Sequence, residues 1–392
     1  MRAGLISLTA AYVMSQFYRA FLAVLAPSLI HELGVTPEDL ATASGLWFLA
    51  FSLSQLPVGE ALDRIGPRLT TAVPLLIGAV GAAVFATASG GTAIKMGMLL
   101  IGIGCAPVLM AAFYIFARTM KPAAFGTLSG VVIGIGSMGN IAASLPLSHS
   151  VAAFGWRPTM WGLAAITLAV ALLVLALVRN PPPAVHSVKG SLLDLLKMKP
   201  LWPVMVMMAA CYAPSAGLRG LWVGPYYTDV FGADATRIGN VTLLMGLAMV
   251  AGNFAYGPLD RLFGSRKWVV FGGNFIMAAA ITTLGALHQT GGAATVATIM
   301  AVGLCGASFP MVMAHGRAFL PAHLLGRGVT LLNLFAIGFA GLMQIATGRI
   351  HASFAANPGI PNTAPYSALF LFYGLVTFAG LAIYLFSRDR TD

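Results

Sequence analysis

The chain has 392 residues, of which 58% are hydrophobic and 8% charged, and its mean hydropathy of +0.87 excludes a soluble protein. A formal net charge of +11 would suit a nucleic-acid partner, but the places where the charges fall, given below, exclude one. Cys105, Cys211 and Cys305 all fall inside apolar stretches, so no disulfide framework is indicated.

Twelve stretches are apolar enough to cross a membrane, each as a helix of about 20 residues because backbone groups in hydrocarbon must bond within their own segment. The expected spans are 4–30, 41–62, 69–89, 93–117, 125–148, 158–178, 201–228, 238–258, 268–288, 293–316, 328–349 and 366–386. The fold class is therefore an all-α membrane protein. The first span is too long for a signal-peptide core, lacks a convincing cleavage site, and is read as a retained helix.

That first span carries Tyr12, Ser15, Gln16 and Arg19. Offsets of 0, 3 and 7 put Tyr12, Ser15 and Arg19 on one face of a regular helix. An arginine at mid-membrane depth costs roughly 2.5 to 3.5 kcal/mol on insertion scales, so it is rarely left there without a use. After the second span comes a polar loop with Asp63, Arg64 and Arg68. In the fifth span Gly130, Gly134, Gly136 and Gly139 fall where they would let helices approach closely. The long polar interruption from Arg179 to Pro200, with its prolines and lysines, separates six spans from six. It divides the chain into a half at 1–178, a linker at 179–200 and a half at 201–392.

The seventh span repeats the opening motif 200 residues on, as Tyr212, Ser215 and Arg219. The loop after the eighth span repeats the other one, with Asp260, Arg261 and Arg266. Two halves in the same order with the same polar signatures read as parallel structural repeats. With the N-terminus in the cytoplasm, 16 of the 22 Lys and Arg fall in cytoplasmic segments, four outside (Lys95, Arg157, Arg237, Arg349) and two in the membrane. This positive-inside bias orients the chain in a bacterial inner membrane with both termini cytoplasmic.

At the two Asp-Arg loops, Gly59 to Arg68 and Gly257 to Lys267, the chain resembles the major facilitator superfamily, which carries a G-x-x-x-D-R-x-G-R-type motif between helices 2 and 3 and between helices 8 and 9. The resemblance spans the whole chain. It implies two pseudo-symmetric six-helix bundles, alternating access about a site near the bilayer midplane, a monomer, and a cytoplasmic gating role for Asp63, Arg64, Arg68, Asp260, Arg261 and Arg266. It also places spans 1, 4, 7 and 10 around the central cavity.

Fold does not name the solute. The polar residues do more. Arg19 and Arg219 lie in spans whose interiors hold no Asp or Glu, so the expected solute is a small organic or inorganic anion held by paired guanidinium forks. Tyr12, Tyr212, Gln16, Ser15 and Ser215 would orient it. The competing reading is that each arginine bonds backbone carbonyls or water at a helix interface. Gln344 and Asn333 in span 11 suit interhelical hydrogen bonding equally well.

Coupling is constrained by the same lack of acids. His315 is the one histidine well away from the outer edge; the others, His351 among them, fall near that edge or in cytoplasmic loops. Exchange or facilitated diffusion, which needs no proton carrier, is as good a reading as proton coupling.

A second reading comes from sulfur. Met245, Met249, Met277, Met311 and His315 offer thioether and imidazole ligands that suit Cu(I). The chain is also similar here to the bacterial copper-importing branch of the same superfamily linked to cytochrome oxidase assembly. In that branch an M-x-x-x-M helix, matched by Met245 and Met249, precedes an H-x-x-x-M helix. Met277 matches its methionine, but Gly273 stands in place of the histidine.

No nucleophile with a positioned base and no phosphate-binding glycine loop is present, so an enzyme is not expected and no cofactor is called for. A non-transporting membrane sensor is the remaining alternative. The expected partners are a small anionic solute and the lipid bilayer.

Overall fold

The computed structural model describes residues 2–120, 122–181, 195–287, 289–321, 325–355 and 361–390. The side chains at 2, 122–127, 260, 261, 325, 326 and 355 lie outside the description. Most of the expected linker, 182–194, falls outside it as well. Among the described residues there are helices and turns but no strand.

The chain divides into two compact units, Met1–Ser187 and Val188–Asp392. The first contains α1 (Arg2–Phe17), α2 (Leu22–Leu33), α3 (Pro37–Arg64), α4 (Pro67–Ala86), α5 (Gly91–Cys105), α6 (Val108–Thr119), α7 (Pro122–Ala142), α8 (Leu145–Phe154) and α9 (Trp156–Leu177). The second opens with a 3-10 turn at Lys199–Leu201 and α10 (Trp202–Gly217), then a π turn at Leu218–Trp222 and α11 (Val223–Phe231). It continues with α12 (Ala235–Phe263), α13 (Arg266–Ala286), α14 (Ala293–Gly306), α15 (Phe309–Arg317), α16 (Leu325–Ala355) and α17 (Ala364–Tyr384).

Among the described residues nine helices are long and apolar enough to span, and eleven if the bent pairs α1–α2 and α7–α8 each count as one. The expected count of twelve would also need α3. Its 28 residues suffice in length, but serines, Gln55 and Glu60 keep it below the others in hydropathy.

Each unit packs its helices by the same scheme. In the first, α4 lies against α5 and α9, α3 against α5, and α1 against α7; in the second, α13 lies against α14 and α17, α12 against α14, and α10 against α16. Helix ends repeat too. Gly34 and Gly232 close α2 and α11 at φ +63° and +59°, a left-handed conformation that favours glycine. Two residues on, Thr36 and Asp234 cap the next helix by accepting the N–H of Asp39 and Arg237.

The glycines of α7 divide by position. Gly136 and Gly139 meet the Tyr12 ring and the Val13 carbonyl of α1, where a side chain would collide, whereas Gly130 and Gly134 have nothing within 4 Å. The first pair accounts for the close α1–α7 approach. The second has no packing role here, contrary to the expectation from sequence.

Candidate functional site

Both repeated arginines stand where a membrane helix loses its regularity. In the first unit α1 ends at Phe17, the chain turns over Tyr18–Phe21, and α2 leaves at 52°. Neither proline nor glycine occupies the turn. Instead the Tyr18 hydroxyl pairs with Thr167 Oγ1 at 2.8 Å on α9, and the Tyr18 and Phe21 rings pack edge to face. The break is therefore imposed by contacts distant in sequence.

Arg19 sits at this break, half-buried. Its guanidinium carbon lies 4.7 Å from the Phe51 ring centre and 5.5 Å from that of Trp47, two α3 rings stacked at 5.2 Å. An aromatic face favours a cation without neutralising it. Cys105, at the end of α5, neighbours Ser15, and the charge of Arg19 reaches it. Gln16 donates to the Tyr12 hydroxyl at 2.5 Å, so it orients the tyrosine.

In the second unit Arg219 lies within the π turn and is 4% exposed. Single π turns inside α-helices recur at functional sites. Its guanidinium runs beside α12 at Gly246, where a first side-chain carbon would stand 4.0 Å from Nη1. Ser215 Oγ donates to the Tyr212 carbonyl and lies against Gly306, which the Met277 sulfur also meets. Tyr212 packs on Phe309. The regular stripe expected from Y-x-x-S-x-x-x-R thus requires correction in both halves: the tyrosine and serine share a helix, and the arginine stands past its end.

At the two Asp-Arg loops the second residue of the following helix is tied in the same way in each unit. Asp63 meets Arg118 of α6 at 3.8 Å, and Arg64 pairs with the exposed Glu60. Arg68, second residue of α4, takes Asn180 Oδ1 on its backbone N–H and donates its Nε to the Leu175 carbonyl at the end of α9. In the second unit Lys267 fills that place, not Arg266. Its N–H donates to Asp389 Oδ1 and its Nζ to the Leu385 carbonyl after α17. Arg266 is the first residue of α13. The side chains of Asp260 and Arg261 lie outside the described residues.

The sulfur and histidine set is engaged otherwise. Met245 and Met249 pack against Gly303, and Met277 against Gly306. Gly273 faces the Tyr256 hydroxyl, which donates to the Cys305 carbonyl, so a histidine at 273 would collide with that ring. Met311 lies in the core of the second unit. His315 Nε2 donates to the Arg388 carbonyl at 2.9 Å, and its Nδ1 pairs with the Tyr384 hydroxyl at 2.6 Å. Both ring nitrogens are occupied, so His315 ties the C-terminal segment to α15 and offers no free nitrogen to a metal. No cluster of three His, Cys, Asp or Glu occurs among the described residues.

A model of the major facilitator superfamily matches residues 8–223, more than half of the chain. The chain belongs to that superfamily. A probable sulfoacetate transporter of Cupriavidus necator is 23% identical over 274 residues, covering 64% of this chain and 63% of that protein. A putative tartrate transporter of Agrobacterium vitis is 22% identical over 377 residues, covering 85% and 82%. The inward-facing, occupied structure of a bacterial homologue of the human lysosomal transporter Spinster superposes with a TM-score of 0.77 at 16% identity, over 97% of this chain and 95% of that one. As a member of the superfamily this protein is a multi-pass membrane transporter and not an enzyme.

Sequence reasoning missed Trp47 and Phe51 as the seat of Arg19, and Asn180, Lys267 and Asp389 as the ties at the loop ends. It also ended the seventh span at 228, one residue before Asp229. That carboxylate lies inside α11 and accepts a hydrogen bond from the Tyr366 hydroxyl.

Proposed function

We propose that this transporter carries a small anion bearing a carboxylate, a sulfonate or a similar oxyanion across the bacterial inner membrane by alternating access. Arg19 and Arg219 each contribute a guanidinium to the bound solute, while Tyr12, Tyr212, Gln16, Ser15 and Ser215 set its orientation. The observation that carries this reading is the recurrence of one arginine, 200 residues apart, at an interruption of a membrane helix in each repeat. Two relatives whose names specify sulfoacetate and tartrate, both organic anions, add support.

The chain acts as a monomer with both termini cytoplasmic, consistent with 16 of 22 basic residues on that side. Asp63, Arg64, Arg68, Asp260, Arg261 and Arg266, joined by Lys267, govern closure of the cytoplasmic ends.

The test is a thermal-shift panel of L-tartrate, sulfoacetate, nitrate and a neutral sugar on the purified protein, followed by flux of the stabilising anion in proteoliposomes. A bound ligand raises the melting temperature by linkage. Losing one charge-assisted pair costs about 1.5–3 kcal/mol, so Arg19→Gln and Arg219→Gln should each weaken binding roughly tenfold to a hundredfold. If both variants transport as the parent does, the clamp is refuted.

A further inference from the structure

The second unit carries a chain of polar and ring contacts that the anion site does not account for. It begins at Asp229, which is exposed and close to the end of α11. The carboxylate accepts from the hydroxyl of Tyr366, a residue of α17 only 1% exposed. The Tyr366 ring meets the imidazole of His351 on α16 at 5.1 Å between centres, and the charge of Asp229 reaches that imidazole. His351 is 8% exposed and stacks on Trp222 at 5.4 Å. Trp222 in turn ends the π turn that holds Arg219. Its indole N–H donates to Thr347 Oγ1, one turn from His351 on the same face of α16.

From an exposed carboxylate to a buried imidazole to the turn bearing Arg219, each step is a direct contact. We infer that Asp229, Tyr366 and His351 form a proton-binding site that couples protonation to anion binding at Arg219. This rests on the reading of Arg219 as an anion ligand. The proton enters from water at the Asp229 end and binds an imidazole nitrogen of His351, giving an imidazolium whose charge is offset by the Asp229 carboxylate. The imidazolium then presses on the Trp222 ring and so on the π turn. After the carrier reopens to the other side, the imidazolium returns this proton to water there and His351 is again neutral, with no other bond changed.

Histidine is the side chain whose charge ordinarily changes between pH 5 and 8. The groups that face it are few: Asp229 and Trp222 from the α10–α11 rod and Tyr366 from α17, with Tyr226 behind Tyr366 at 5.3 Å. Arg349 lies two residues away on its own helix, and on α15 the ionisable residues are His315, tied to Arg388, and Arg317 at the helix end.

Two readouts test the inference on the full chain in lipid nanodiscs and liposomes. The first needs no solute. A protonated imidazole quenches a stacked indole, so tryptophan fluorescence should show a transition between pH 5 and 8. It should disappear in His351→Gln and in Trp222→Phe, and its midpoint should move in Asp229→Asn, an exposed substitution that spares the core. Absence of the transition in the parent, or its persistence in His351→Gln, overturns the proton site.

The second readout uses L-tartrate and sulfoacetate with the membrane potential held at zero. A gradient of one pH unit can concentrate a one-to-one partner up to about tenfold. The parent should accumulate the anion in the direction of proton entry. In His351→Gln the ratio of gradient-driven uptake to counterflow should fall to its value without a gradient, whereas Arg219→Gln should lose uptake in both modes and keep the fluorescence transition. Undiminished gradient-driven uptake in His351→Gln refutes coupling. If neither anion binds the parent, the anion reading fails for them, and the fluorescence titration alone decides the proton site.

Discussion

Gly217 closes α10 immediately before the π turn, and a methyl group there would run into the Tyr373 hydroxyl and Gln344 Oε1. Both neighbours are buried, and the tyrosine donates to the glutamine at 3.2 Å. Gly217→Ala therefore overpacks a filled space, which costs about 1–3 kcal/mol. Displacing the hydroxyl forfeits a hydrogen bond of about 0.5–1.5 kcal/mol, and the helical preference of alanine returns about 0.5–1 kcal/mol. The net loss is about 0.5–4 kcal/mol, or roughly 1–16 °C for a unit of this size. Thermal unfolding in detergent, followed by a thiol-reactive dye on the three cysteines, reads it directly. Tyr373→Phe removes the colliding oxygen, so the double variant should be more stable than the sum of the singles predicts. A Gly217→Ala protein that melts with the parent, or strictly additive effects, would refute the packing argument.

The glycines of α7 give a paired test. Gly136→Ala should displace Tyr12 and cost about 1–3 kcal/mol, while Gly130→Ala, facing open space, should be neutral or stabilise slightly in the same melting assay. Burial alone would raise the Asp389 carboxyl, but hydrogen bonds from Ser265 and from the backbone N–H of Lys267 and Arg266, with the charge of His315, hold it below its ordinary range. A depressed carboxylate contributes stability above its unfolded pKa of about 3.9 and loses it as pH falls through the folded value. Asp389→Asn should therefore flatten the acid limb of a melting-temperature profile below about pH 4, and an unchanged limb would show the contact to be idle. Asp39 combines a reciprocal helix cap with Thr36 and an ion pair to Lys95 at 2.6 Å. Asp39→Ala should cost about 1–2 kcal/mol, chiefly through the cap, as measured by thermal unfolding at low and high salt.

The repeat, the spans and the loop motifs were legible because hydropathy and spacing act within one segment. The interruptions at Arg19 and Arg219 were not. Residues 18–21 contain no helix breaker, and the turn depends on Thr167, which sits 149 positions from Tyr18. The π turn has glycine at 220, but Tyr373 and Gln344 press on Gly217 just before it and Thr347 holds Trp222 at its end, all from other helices. The motif alone does not separate Arg266 from Lys267; capping by Ser265 places lysine second in α13, opposite the carbonyl it meets. Asp229 was passed over because hydropathy falls at the span end, although the backbone stays helical to Phe231.

The π turn also sets the phase of everything beyond it. An α-helix advances about 100° per residue, so an extra residue wound into Leu218–Trp222 turns α11 by that angle relative to α10. Deleting one residue there would leave a span equally long and oily, and a lipid bilayer would accept it. Asp229 would nonetheless swing away from Tyr366 to another side of the rod. Membrane insertion and the polar wiring of this helix are thus separately specified, the first by composition and the second by a single surplus residue.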